Sequence, residues 1–141
     1  MRCVILESPY RGDTLDGRLK NIDYARRCVR DSLERGEACI ASHLLFTQPG
    51  VLDDDVPAER AHGIAAGLAW LEHAAAMVVY EDRGISGGMA AAMIEAEKAG
   101  VPIERRVLRE IPRGIAGEPI CDRANWPRRR ASGVLLRQLG G

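Results

Sequence analysis

The sequence predicts an α/β protein of the flavodoxin-like or Rossmann-like kind, a single-domain parallel sheet with helices on both faces. Short continuous apolar runs alternate with segments of helical period, which gives the βαβ order of such sheets. A run that is apolar throughout is typical of a parallel strand covered on both sides. In open sheets of this kind, ligands bind at the carboxyl ends of the strands.

The first half of the chain reads as a βαβ unit. Residues 3–6 predict the first strand, and residues 19–35 have the period of an amphipathic helix that ends before Gly36. Residues 38–41 predict a second buried strand. A loop rich in Pro, Gly and Asp follows over residues 48–57 and leads into the second half.

The second half repeats the alternation. Residues 58–73 predict a helix and residues 76–80 a strand, which a Gly/Ser turn joins to a further helix closed by Gly100. Residues 103–108 predict a last strand whose charges favour an edge position. We therefore expect one domain over residues 1–110. A C-terminal extension over 111–141, rich in Pro and Gly, is expected to pack on that domain or on a neighbouring subunit.

Charge and composition exclude several classes of function. The 20 basic and 20 acidic residues cancel, so no overall field favours a nucleic acid polymer or a membrane surface. The four cysteines are scattered without clustered histidines, which favours neither a metal site nor disulfides. The sequence shows no signal peptide and no apolar run of about 18 residues. We expect a cytoplasmic protein that needs no metal or organic cofactor.

Three turns follow the predicted strands, over residues 8–13, 42–45 and 81–89. Because carboxyl ends of parallel strands meet at one edge of a sheet, we expect these turns to face one crevice. The glycine-rich turn ahead of a helix brings backbone N–H groups near a ligand, and the positive end of the helix favours an anion such as phosphate. The candidate binding residues are Ser8, Tyr10, Arg11, Gly12, His43, Ser86, Gly87, Gly88 and Met89.

Each of these residues also has a commoner structural role. A serine before a helix usually caps it, and a lone arginine or loop histidine usually serves the surface or a local hydrogen bond. As binding groups, Arg11 would clamp a phosphate, Gly12 would let the backbone come close, and Tyr10 would stack on a base. Convergence of the three turns favours binding. Turns that do not converge would indicate an unrelated Rossmann-like interaction domain.

Three motifs together resemble the nucleoside 2-deoxyribosyltransferase-like superfamily. They are Ser-Pro-Tyr-Arg-Gly over residues 8–12, Ser-His-Leu over 42–44, and Gly-Ile-Ser-Gly-Gly-Met over 84–89. The resemblance runs from about residue 3 to residue 108. It is strongest to the small bacterial and phage branch and to the 5′-nucleotide N-glycosidases, which places the protein in a bacterial or phage-infected cell.

The resemblance implies N-glycosidic bond cleavage or deoxyribosyl transfer on a nucleoside or nucleoside 5′-monophosphate, by a homodimer or larger homo-oligomer without a cofactor. It also implies roles for individual residues. Ser8, Arg11 and Gly12 would contact the nucleotide, Ser86 would grip the 5′-phosphate, and Tyr10, His43 and Met89 would line the base pocket. The family's nucleophilic Glu stands six residues after this serine, where the present chain has Ala92.

Ala92 matters because a carboxylate beneath C1′ stabilises the oxocarbenium-like transition state or forms a covalent intermediate, and a methyl group does neither. Three interpretations are open. The alanine is an engineered replacement of Glu, or the chain is a natural non-catalytic nucleotide sensor or scavenger, or another acid serves. Glu95 lies about 60° round the helix from Ala92. Glu81 and Asp82 at the strand end could assist by holding a ribose hydroxyl or the base.

Overall fold

The computed structural model of the chain describes residues 1–108, so the extension expected over 111–141 lies outside the described residues. Its strands and helices alternate as the sequence predicts. In chain order they are β1 (Arg2–Glu7), α1 (Leu15–Glu34), β2 (Glu37–Ile40), α2 (Ser42–Leu45), α3 (Pro57–Leu68) with a 3-10 turn (Ala69–His73), β3 (Ala76–Tyr80), α4 (Gly87–Lys98) and β4 (Ile103–Arg106).

The four strands form a parallel sheet in the order β2-β1-β3-β4. The chain leaves β1 toward β2 on one side, and it leaves β3 toward β4 on the other. The topological switch point therefore lies between β1 and β3, where an open α/β sheet forms its ligand crevice. The predicted α/β class is confirmed, and β4 is an edge strand as its charges indicated.

The core consists of two apolar clusters, one on each face of the sheet. On the first face, Val4 and Leu6 of β1 pack with Tyr24 and Cys28 of α1. On the second face, Ile5 packs with residues of α4 and of the 3-10 turn. Helices thus cover both faces, and the side chains of β1 alternate between them as the period of a strand requires.

Two element boundaries differ from the sequence prediction for local reasons. Helix α1 begins at Leu15 rather than residue 19, because the Thr14 hydroxyl caps it by accepting a hydrogen bond from the Gly17 N–H at 3.1 Å. The helix predicted over 58–73 is α3, which tightens into the 3-10 turn after Leu68. Within residues 1–108, none of the helices combines the length and apolarity that crossing a bilayer requires.

A charged cluster lies on the α1 face of the sheet. The buried Glu37 carboxylate accepts hydrogen bonds from Arg106 at 2.7 and 2.8 Å and from the Ser32 hydroxyl at 2.7 Å. Arg2 also donates to it, and Arg106 reaches Glu104 at 2.6 Å. Hydrogen bonds from Arg106, opposed by burial, hold the pKa of Glu37 well below its usual range. Glu104 and Arg106 of β4 therefore serve the stability of the fold.

Candidate active site

A cavity of about 400 Å³ opens at the carboxyl edge of the sheet, beside the switch point. The end of β1 and the helices α2, α3 and α4 contribute to its walls. All three predicted turns reach it, so the convergence that favours a binding interpretation is present. The sequence-predicted residues that line it are Ser8, Tyr10, Arg11, His43, Ser86, Gly87, Gly88, Met89 and Ala92.

Gly12 does not line the cavity. A Cβ atom on this residue would lie 2.6 Å from the Arg18 nitrogen and 2.7 Å from the Gly17 carbonyl carbon. The turn after β1 therefore crosses the first turn of α1 so closely that only glycine fits. Gly12 lets the backbone approach a helix, whereas the sequence analysis expected it to let the backbone approach a ligand.

Glu81 and Asp82 also lie outside the cavity lining, and both have other partners. The Asp82 carboxylate accepts a 2.6 Å hydrogen bond from the Tyr24 hydroxyl and bonds from the Leu108 N–H at 3.1 and 3.2 Å. Glu81 pairs with Arg105 at 3.4 Å. These acids fasten the turn after β3 to α1 and to the end of β4. The structure gives no support to their expected part in catalysis.

Ser8 and His43 join two of the turns inside the cavity wall. The Ser8 hydroxyl lies 2.8 Å from Nε2 of His43, while Nδ1 of His43 is buried with no hydrogen-bond partner among residues 1–108. Burial lowers the pKa of His43 to about 4, so the imidazole is neutral at physiological pH. The Tyr10 ring meets the imidazole edge-on with centroids 6.3 Å apart. This corner of the cavity is aromatic, uncharged and able to donate or accept a single hydrogen bond.

The N-terminus of α4 forms another part of the wall. The Ser86 hydroxyl accepts a hydrogen bond from the Met89 N–H at 3.2 Å, and the Met89 sulfur accepts one from the Ser86 N–H at 3.4 Å. Gly87 and Gly88 occupy the first helical positions, whose N–H groups have no acceptor within the helix. A Cβ on Gly87 would meet nothing within 4 Å. An N-terminus of a helix that lies in a cavity wall suits an anion.

Arg60, which the sequence analysis missed, brings a cation to the same place. One of its nitrogens, Nη1, donates to both oxygens of Asp54 at 2.6 and 2.7 Å. The other, Nη2, lies 3.7 Å from the position that a Cβ on Gly88 would take. Arg11 also contacts Asp54, with 3.5 Å between its Nε and the carboxylate. In the sequence, Arg60 is one charged residue in the first turn of a surface helix, with nothing to mark it.

Four acidic side chains line the cavity, and three of them have hydrogen-bond donors. Asp54 binds the two arginines, Glu59 accepts the Asp53 N–H at 2.7 Å, and Glu95 accepts from Lys98 at 2.7 Å. The fourth, Glu7, makes no hydrogen bond or ion pair with any residue of the described part of the chain. Burial raises its pKa to about 7. The sequence signal for Glu7 was an acid at the end of an apolar strand that stops at the ligand edge.

Asn21, another residue that the sequence did not single out, holds the turns together from beneath. Its amide nitrogen donates to the carbonyls of Tyr10 and Arg11 at 3.3 and 3.0 Å, and its Oδ1 accepts from Arg83 Nε at 2.9 Å. It is buried on α1, in a stretch otherwise typical of an amphipathic helix. One side chain therefore sets the turn after β1 against the turn after β3.

Comparisons with known proteins give a family model and a solved structure that are similar to this chain. The profile of a family described as "Domain of unknown function (DUF7768)" matches residues 2–106. A solved structure of a 2-deoxyribosyltransferase from the psychrotolerant bacterium Bacillus psychrosaccharolyticus superimposes with a TM-score of 0.54 at 16% identity, covering 77% of this chain and 75% of that one. The chain has no match among curated proteins. The superposition shows a shared flavodoxin-like fold.

Proposed function

We propose a function on the premise that this chain belongs to the DUF7768 family and that its cavity is the family's ligand site. The ligand is a nucleoside or, preferably, a nucleoside 5′-monophosphate. The reaction is cleavage of the N-glycosidic bond, with water or a second base as the acceptor of the sugar. The name of the structural neighbour, a 2-deoxyribosyltransferase, agrees with this chemistry.

The observation that carries the proposal is the presence of two chemically different groups of residues in the wall of one cavity. One group joins the N-terminus of α4 to the guanidinium of Arg60, an arrangement that suits a phosphate. The other group consists of Tyr10 and the neutral His43, which suit the face and edge of a base. A volume of about 400 Å³ is in the range of small-molecule sites.

This arrangement supports a position of the sugar between the residues that suit a phosphate and the residues that suit a base. With the phosphate at α4 and the base near His43, C1′ would lie beside the second turn of α4, where Ala92 faces the cavity. Departure of the base leaves positive charge on the sugar, which a nearby carboxylate stabilises. Ala92 cannot do this, so a catalyst built on this site has to draw a carboxylate from elsewhere in the wall.

A second candidate function, nucleotide binding without chemistry, is favoured by that same methyl group. A sensor or scavenger needs the phosphate and base contacts but no group at C1′. The two candidates make the same prediction for binding and opposite predictions for base release.

The test compares the chain as it stands with its Ala92→Glu variant on a panel of nucleosides and 5′-monophosphates. Calorimetry measures binding, and chromatography measures the free base. Tight binding of a monophosphate with base release from either protein supports the enzyme. Binding without release from either protein leaves the sensor, and absence of binding rules out both. The expected homodimer or larger assembly stays a prediction, which light scattering of the same samples checks.

A further inference from the structure

We infer that Glu7 is the catalytic carboxylate of this site, and that it acts from β1 in place of the carboxylate that α4 lacks at Ala92. Its role is to take the proton from the water that attacks C1′. The inference rests on the proposed function and narrows it to hydrolysis. It places the catalytic carboxylate on a strand, as a general base, whereas the family resemblance places a nucleophilic carboxylate on a helix.

The direction of the Glu7 side chain supports the assignment. Residues of β1 alternate between the faces of the sheet, so Glu7 shares the face of Ile5 rather than that of Leu6. Ile5 packs in the cluster that includes Met89, and Ala92 packs against that same cluster. Glu7 therefore leaves the end of its strand on the side where α4 lies, and both Glu7 and Ala92 line the cavity.

The other acids of the cavity are already in use. Asp54 is held by two arginines and Glu59 by a backbone N–H, so each carries out a structural task at the rim. Glu95 follows Ala92 by less than one helical turn and is the natural competitor, but Lys98 donates to its carboxylate at 2.7 Å. Glu7 has no such partner among the described residues.

The protonation state of Glu7 suits proton exchange at neutral pH. Burial in the cavity wall raises its pKa to about 7, so both forms are populated there. A general base works best when its pKa is near the pH at which it operates. A carboxylate with an ordinary pKa would be a poorer acceptor for the proton of water.

The proposed step balances without a cofactor. Water adds its oxygen to C1′ as the C1′–N bond breaks, and the electron pair of that bond leaves with the base. The proton of the water passes to the Glu7 carboxylate. The departing base then takes up one proton, which Glu7 returns through solvent. The products are the sugar, or sugar 5′-phosphate, and the neutral base.

The experiment measures kcat for base release and the Kd of the nucleotide in three variants of the full chain. Glu7→Gln is expected to lower kcat by about 10²-fold or more with little change in Kd. The exposed Glu97→Gln is expected to stay within about threefold of the parent, and Glu95→Gln is expected to lose less of its kcat than Glu7→Gln. The parent's kcat should rise with pH around 7, and that rise should vanish in Glu7→Gln. Thermal melts show that each variant is folded.

A further variant, Glu7→Ala, keeps the inference testable if Glu7→Gln folds poorly. Formate, a small carboxylate, should restore base release to Glu7→Ala and have no effect on the parent. A Glu7→Gln variant as fast as the parent, or a loss confined to Glu95→Gln, overturns the inference and leaves the proposed function standing. Release from Ala92→Glu with none from the parent does the same. Binding without release from parent and Ala92→Glu alike removes the proposed enzyme function itself.

Discussion

The hydroxyl of Ser8 lies 2.8 Å from Nε2 of His43, and this contact joins the turn after β1 to the helix after β2. Both residues sit in the cavity wall, and Ser8 is almost fully buried. A charged imidazole here would lack a partner at Nδ1 among the described residues. The fold therefore selects the neutral ring, and the cavity gains a hydrogen-bonding group that carries no charge.

His43 should make the protein sensitive to mild acid. Its pKa falls from an ordinary 6.5 to about 4 in the fold, so the unfolded chain binds more protons between these values. The contribution to the free energy of unfolding is complete above pH 6.5 and is lost as the pH falls to 4, with an upper limit of about 3 kcal/mol. When the free energy of unfolding is measured by chemical denaturation at several pH values in this range, its dependence on pH should be weaker in His43→Gln than in the parent. The exposed His62→Gln is the control, and an unchanged slope in His43→Gln contradicts the assignment.

Two glycines that look alike in the sequence should respond differently to alanine. Gly12→Ala places a Cβ 2.6 Å from backbone of α1, and we expect a loss of about 1–3 kcal/mol in stability. Gly87→Ala meets only open space, so it should leave stability within about 0.5 kcal/mol, or raise it slightly because alanine favours helices. The denaturant midpoints of the two variants and the parent measure these changes in stability. Equal effects would show that the turn after β1 adjusts its distance from α1.

Asn21 should couple stability to ligand affinity. Asn21→Leu removes one acceptor and two donor contacts in a buried setting, and we expect a loss of about 2–3 kcal/mol together with a weaker nucleotide Kd. Asn21→Asp is the matched variant, because it keeps the acceptor for Arg83 while losing the donors to Tyr10 and Arg11. Its stability and its nucleotide affinity should lie between those of the parent and those of Asn21→Leu. A variant that loses stability but binds as tightly as the parent would show that the turns hold their positions without this residue.

Sequence patterns predicted the sheet well because burial repeats along each element. Every residue of β3 is buried, and an unbroken apolar run is the expected sign of such a strand. The three turns were also found, since parallel strands place their carboxyl ends together. Asp54 and Asn21 were missed because each has an arginine partner distant in the chain, and Arg60 because its approach to Gly88 exists only in the folded protein. A one-dimensional pattern carries no record of such pairs.

The sequence analysis was weakest where one residue type serves two purposes. Gly12 and Gly87 both suggested backbone approach to a ligand, yet only Gly87 faces the cavity. Asp82 stood at a strand end as a catalytic acid would, but its carboxylate accepts from Tyr24 and from the backbone after β4. Glu7 stood at a strand end as well and received no attention. Whether an acidic residue has a structural or a catalytic role depends on neighbours that only the tertiary structure brings near.

Arg60 should discriminate between a nucleoside and its 5′-monophosphate. We expect Arg60→Gln to weaken the binding of the monophosphate by about 10- to 100-fold, which is the usual cost of losing a hydrogen bond to a charged group. The affinity for the nucleoside should change little. Arg60→Lys should recover part of the loss, because it restores charge without the planar fork. The exposed Arg26→Gln is the control. Equal weakening of both ligands would place the phosphate elsewhere and assign Arg60 to the ordering of Asp54.

Glu7 should make the folded protein less stable as the pH rises toward neutrality. Its pKa is about 7 in the fold against an ordinary 4.5, so the folded state binds more protons within this window. The stabilisation is complete below pH 4.5 and is lost as the pH rises through 7, with an upper limit of about 3 kcal/mol. His43 acts in the opposite direction between pH 4 and 6.5, so the parent's own profile mixes the two contributions.

Glu7→Gln separates them, because it keeps the shape of the protonated acid and cannot ionise. The difference in unfolding free energy between variant and parent should be nearly constant below pH 4.5, grow in favour of the variant up to pH 7, and then level off. The exposed Glu97→Gln should show no such trend. A flat difference for Glu7→Gln would mean that its carboxyl titrates as it does in water. A stabilising variant that is also inactive would show that the site tolerates an unfavourable buried acid for the sake of its chemistry.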